Sequence, residues 1–172
     1  MGEEILPVMS AKYLGVILNE TLNWDQQVDQ MLLKAIRSTF GLKRFSSVIK
    51  EPNIAVQLYE SLVRPCLEYA ATVWHFGLTS AQRKKLQRQE QIVSRIIGKK
   101  LEREKTLHER RLKKCIQKYR QLESKPDSVL HKFICKKLHH TGKYRLHKMK
   151  TERLKKSFFY STPIVINSIQ WF

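Results

Sequence analysis

The chain has 172 residues, 42% of them hydrophobic and 28% charged, with a formal net charge of +18 at pH 7. This length and apolar content fit one folded domain, or one domain with an extension, and exclude a disordered polyelectrolyte. No apolar run approaches the roughly 20 residues of a membrane span, and the opening MGEEILPVMS is acidic, unlike the basic-then-apolar start of a secretory signal.

In chain order, Lys12–Leu18 (KYLGVIL) reads as a short strand interrupted by Gly15, where a glycine suggests a bulge or a close backbone approach. Asn19–Trp24 is a turn. Asn23 then reads as a helix N-cap, with Asp25 in the first turn where negative charge suits the helix dipole. Val28, Met31, Leu32, Ala35, Ile36, Thr39 and Leu42 recur at spacings of three and four, so a first helix runs to about Arg44. Lys34, Arg37 and Lys43 lie on or beside its polar face. Pro52 opens a second, mostly apolar helix that bends at Pro65 and ends at Gly77. Thr79 or Ser80 caps a third, with Leu86, Gln89, Val93, Ile96 and Ile97 inward and Gly98 at its end. Arg83, Lys84, Arg88 and Arg95 project from it.

Beyond Lys99 the apolar pattern thins. A fourth helix is expected over about 102–122 and a fifth from Pro126 to just before Gly142. Residues 143–157 are strongly basic without a period, and an aromatic, apolar tail follows. Residues 1–79 carry 7 Lys and Arg against 8 Asp and Glu, whereas residues 80–172 carry 26 against 7. So large a surplus exceeds what solubility asks for and points to nucleic acid as the partner. Three widely spaced cysteines suggest reduced thiols and an intracellular setting, nuclear or cytoplasmic.

Catalytic signals are sparse. Two-metal chemistry needs carboxylates gathered around ions about 4 Å apart. The chain has only three Asp, at 25, 29 and 127, and the first two suit the helix dipole. There is no Gly-rich phosphate loop and no His-x-Asp pair for iron. His131, Cys135 and His139 would share a face of the fifth helix and are zinc-type ligands. However, i to i+8 spans about 12 Å, too far for one ion. They remain the only metal candidates, and no cofactor is expected. Trp74 and Tyr69 follow the apolar period and read as core. Cys66 reads as packing inside the second helix.

The order of segments resembles the C-terminal part of non-LTR (LINE-type) retrotransposon reverse transcriptases. Lys12–Trp24 (KYLGVILNETLNW) is similar to the hairpin that follows the family's catalytic palm. Leu58–Trp74 (LYESLVRPCLEYAATVW) is similar to its thumb helix, and Lys84–Gly98 (KKLQRQEQIVSRIIG) to the helix after it. Arg153–Ile169 (RLKKSFFYSTPIVINSI) is similar to its terminal element. The resemblance implies a mostly α fold: a short N-terminal strand or hairpin, a thumb-like helical bundle over 10–98, and a basic, partly irregular extension over 99–172.

The resemblance further implies a non-catalytic nucleic-acid-binding remnant, because the family's aromatic-x-Asp-Asp turn is absent. Its partner would be an RNA–DNA hybrid or a duplex, with Lys12, Tyr13 and Gly15 near the primer end. Lys34, Arg37, Lys43, Arg44, Arg83, Lys84, Arg88 and Arg95 would contact nucleic acid from the helices, and Lys143, Arg145, Arg153, Lys155 and Lys156 from the extension. Where a palm would dock, strand 12–18 is expected to present an unpaired edge and the helix faces around Trp24 and Trp74 to be incompletely covered, and no small-molecule substrate or membrane is expected. Residues 90–170 also resemble vertebrate chains grouped with the N-terminal region of AlkB homologue 8. That likeness would imply iron and 2-oxoglutarate, for which the ligands are missing. The remaining reading is the product of a decayed frame that binds nucleic acid non-specifically.

Overall fold

The Tyr, Val and Ile of residues 12–18 fold as a hairpin and not as one bulged strand. In the computed structural model, which describes residues 8–48, 51–98 and 106–169, β1 (Ser10–Tyr13) pairs antiparallel with β2 (Val16–Asn19), Tyr13 opposite Val16. Leu14 and Gly15 form the two-residue turn, both with positive φ (46° and 80°), the backbone that matches strand twist. Gly15 adopts this freely. Leu14 does so at a steric cost of about 1–2 kcal/mol, and the Tyr69 hydroxyl holds its carbonyl at 2.8 Å.

The described chain is mostly helical and divides into two units, Met1–Tyr69 with Leu78–Arg103, and Ala70–Gly77 with Glu104–Phe172. In the first, α1 (Asp25–Val48) begins where the Asn23 Oδ1 accepts the Asp25 N–H at 3.3 Å. It buries Val28, Met31, Ala35 and Leu42 along one stripe. Glutamines on or against this stripe make the seams. Gln27 Oε1 accepts the Ile17 N–H at 2.8 Å and docks the hairpin. Gln82 donates to Asp25 at 2.7 Å, and Gln89 donates to the Thr39 hydroxyl at 2.9 Å. The last two tie α1 to α5 (Ser80–Ile97), whose N-terminus carries a reciprocal capping box between Thr79 and Gln82.

The single bent helix expected from Pro52 to Gly77 instead carries a wide turn ahead of Pro65 and is broken once. Pro65 has no N–H for the carbonyl one turn back. The chain widens there: after α2 (Pro52–Leu58), Tyr59–Val63 forms a π turn, and the Arg64 N–H reaches the Tyr59 carbonyl. α3 (Arg64–Glu68) follows. Ala55, Tyr59, Val63 and Leu67 are all buried along this path. Tyr59 hydrogen-bonds Glu90, and both are buried. The break follows Glu68, where Tyr69 turns extended and Ala70 takes a φ of 50°.

The second unit opens with α4 (Ala71–Trp74) and a 3-10 turn, His75–Gly77. α6 (Leu107–Glu123) buries Leu107, Cys115, Tyr119 and Leu122. Thr106 caps it with a second capping box, and the expected residues 102–105 lie outside the described ones. No fifth helix forms over 126–141. A 3-10 turn, Val129–Phe133, gives way to extended chain, because the Cys135 N–H goes to the Tyr119 hydroxyl at 2.9 Å. Residues 136–138 then pair with 143–145: Leu138 N–H to Lys143 O and Arg145 N–H to Lys136 O, each 2.8 Å. These bonds take the donors a helix would need. After α7 (Glu152–Lys155), the aromatic tail becomes α8 (Phe158–Ser168), with Pro163 buried inside it.

Candidate nucleic-acid interface

In the first unit, Lys34, Arg37 and Arg44 recur at i, i+3 and i+10 along α1, and Lys84, Arg88 and Arg95 at i, i+4 and i+11 along α5. Each set therefore forms a row on one helix face, and all six are exposed. Arg83 is exposed to one side of its row. Lys43 stands apart from the α1 row, in a cleft of about 370 Å³ whose apolar lining is Ile36, Phe40, Ile92 and Ile96. Lys12 and Tyr13 are exposed on β1. Gly15 does allow a close approach, but the group that approaches is Tyr69: a Cβ at 15 would lie 3.2 Å from its ring.

The two aromatics read as core differ. Tyr69 is 56% exposed. Trp74 is buried at 0% exposure, as its period suggests, and Trp24 at 8%, whereas their chain neighbours Val73 and Leu22 are exposed at 52% and 40%. Arg111, itself buried, places its guanidinium 4.8 Å from the centre of the Trp74 ring, a desolvated cation–π contact. The exposed large apolar side chains of α1 are Leu33, Ile36, Phe40, Phe45 and Val48.

In the second unit, Lys143, Arg145, Arg153, Lys155 and Lys156 are all exposed. Lys155 Nζ lies 2.5 Å from Glu152, which lowers the Glu152 carboxyl pKa and raises that of the lysine. The extended 136–145 segment stands on an aromatic core. Tyr119 and Tyr144 meet edge to face at 5.4 Å. Asn167 grips the Tyr144 backbone from both sides, accepting its N–H at 2.8 Å and donating to its carbonyl at 2.9 Å. The Tyr144 hydroxyl donates to Glu123 at 2.7 Å. Burial, and then this bond, push its phenol well above the usual range. Burial likewise pushes the Cys115 thiol up to about 12, against the pull of Arg111, so it is a packing group and not a nucleophile.

His131, Cys135 and His139 do not share a helix face, since no helix spans them. Cys135 is buried and His139 exposed. Among the described residues no group of three His, Cys, Asp or Glu gathers to hold a metal ion, and no helix is long and apolar enough to cross a membrane. Cations that the sequence reading passed over include Arg120 and Lys137, which line one cleft with Lys143. Nothing in their local spacing announces this, because helix α6, the 136–145 segment and α8 meet only through tertiary packing. No family model, curated protein or solved structure matches the chain.

Proposed function

We propose that the chain binds nucleic acid through its exposed cations and has no catalysis of its own, as the thumb-and-tail part of a LINE-type reverse transcriptase. One observation carries the reading. The described residues of the second unit hold 17 Lys and Arg against 4 Asp and Glu, and 15 of the 17 are exposed. So dense a surface of one sign repels itself and gains most from a polyanion. The motif order of residues 12–169 supports the family of origin, and the two cationic rows of α1 and α5 are of a kind that contacts phosphates.

The test is fluorescence anisotropy of the full chain with an RNA–DNA hybrid, duplex DNA and single strands over a salt series. Six neutralised phosphates would weaken duplex binding by about 10³-fold between 50 and 200 mM salt. The triple variant Lys143→Gln, Arg145→Gln, Arg153→Gln is expected to flatten the salt slope by about 2–3 units. Absence of binding at low salt, or binding indifferent to salt, overturns the reading.

A further inference from the structure

We propose that a cleft in the second unit takes the terminal phosphate of a polynucleotide, a phosphate monoester with its sugar and base. The inference rests on the nucleic-acid reading above and names what this part of the surface recognises. The cleft, about 370 Å³, lies between the turn at 138–143, helix α6 and helix α8. Arg120, Lys137 and Lys143 line it, with the Thr141 hydroxyl beside them. Ile166 and Ile169 form an apolar wall.

Charge and shape both select the ligand. Among the described residues the carboxylate beside the cleft is Glu123, 3.5 Å from Lys137 and hydrogen-bonded to Tyr144. Lys137 and Lys143 against Glu123 leave the described lining positive, and Arg120, which has a further partner of its own, adds its guanidinium to the rim. A monoester near neutral pH carries close to two charges, its second pKa being about 6, whereas an internal diester carries one. A cleft of this size holds one nucleotide and has no room for a duplex. The apolar wall offers a surface for the sugar or base.

The cleft is also preformed. The Gly142 N–H bonds to Leu138 O at 2.9 Å, and the Lys143 N–H to the Thr141 hydroxyl at 3.3 Å. Asn167 fixes the neighbouring Tyr144 backbone on both sides. Little order has to be gained on binding, which favours affinity.

The experiment compares the full chain binding one short single strand with a 5′-phosphate, a 3′-phosphate or neither, at fixed salt. A free nucleoside monophosphate serves as a fourth ligand. A phosphorylated end should bind about tenfold more tightly, the scale of one or two charge-assisted hydrogen bonds. The preference should shrink below pH 6 as the monoester loses its second charge. Lys143→Gln should erase most of it, while His147→Gln, exposed on the same extended segment and outside the cleft, should keep it. If all strands bind equally and with a steep salt slope, the cleft assignment is wrong and general nucleic-acid binding stands. If no strand binds, the polynucleotide is overturned as the source. A free monophosphate that then binds in a Lys143-dependent way keeps the phosphate chemistry, and one that does not removes it.

Discussion

In the first unit, regular helices are joined at their seams by the side chains of Gln27, Gln82 and Gln89. In the second, Tyr119 and Asn167 hold a long stretch, 134–151, whose only pairing is the bridge between Lys137 and Tyr144. Charge differs in the same sense. The described residues of the first unit carry 11 Lys and Arg against 7 Asp and Glu, and those of the second 17 against 4. A periodic segment satisfies its backbone internally and needs side chains only where elements meet. The basic segment closes only one short turn with its own backbone, so Tyr119 and Asn167 supply the hydrogen bonds that tie it to the rest of the unit. A few anchors therefore carry the order of many cations.

The largest effect should separate the units. Trp74→Ala removes a fully buried ring and leaves Arg111 over a void, at a cost of about 3–5 kcal/mol in urea denaturation. Native-state hydrogen exchange should speed up in α6 more than in α5. Equal acceleration in both would mean that the units unfold as one.

Next comes the anchor itself. Asn167→Ala loses both bonds to Tyr144 and leaves a half-buried amide and carbonyl without that partner, about 2 kcal/mol. Exchange at the Tyr144 amide should rise by an order of magnitude or more. Unchanged exchange there would show that the aromatic core alone fixes the segment. The smallest effect falls on the hairpin. Gly15→Ala puts a Cβ at positive φ and 3.2 Å from the Tyr69 ring, costing about 1 kcal/mol. Tyr69→Ala should recover only the crowding part, so the two changes together should cost less than their sum.

How much of this was legible follows from where the information lies. α1 and α5 are written in period 3.6 with capping residues at Asn23 and Thr79, and both stand close to where the pattern puts them. The hairpin was half-legible: β-forming residues were present, but a Leu at positive φ in its turn breaks local preference and rests on Tyr69, 55 residues away. The break at Ala70 has no local signal of any kind. Over 129–141 helical spacing was present and lost to a tertiary bond from Cys135 to Tyr119, while α8 was hidden by Pro163 and its Ile and Val. The basic residues were readable one by one as surface. Their grouping was not, since Arg120, Lys137 and Lys143 are brought to one cleft only by the packed fold.

The wide turn at Tyr59–Val63 has a further consequence for how this chain can change. A row of side chains every four residues drifts about 40° per step around an α-helix, so the row Ala55, Tyr59, Val63, Leu67 would wander off its buried side. The π turn winds back, and all four stay inside. One residue deleted there would restore an ordinary helix and keep Leu67 inward, because eleven ordinary steps from Ala55 return to within about 20° of its direction; one deleted in the middle of α1, which has no such turn, would swing everything beyond it by about 100°. In the segment after α6, around Ser124–Ser128, the same deletion would shift no helical phase. The tolerance of this sequence to single-codon gaps is thus set by phase, and within its helices it should be highest at the wide turn and lowest in the middle of α1 and α5.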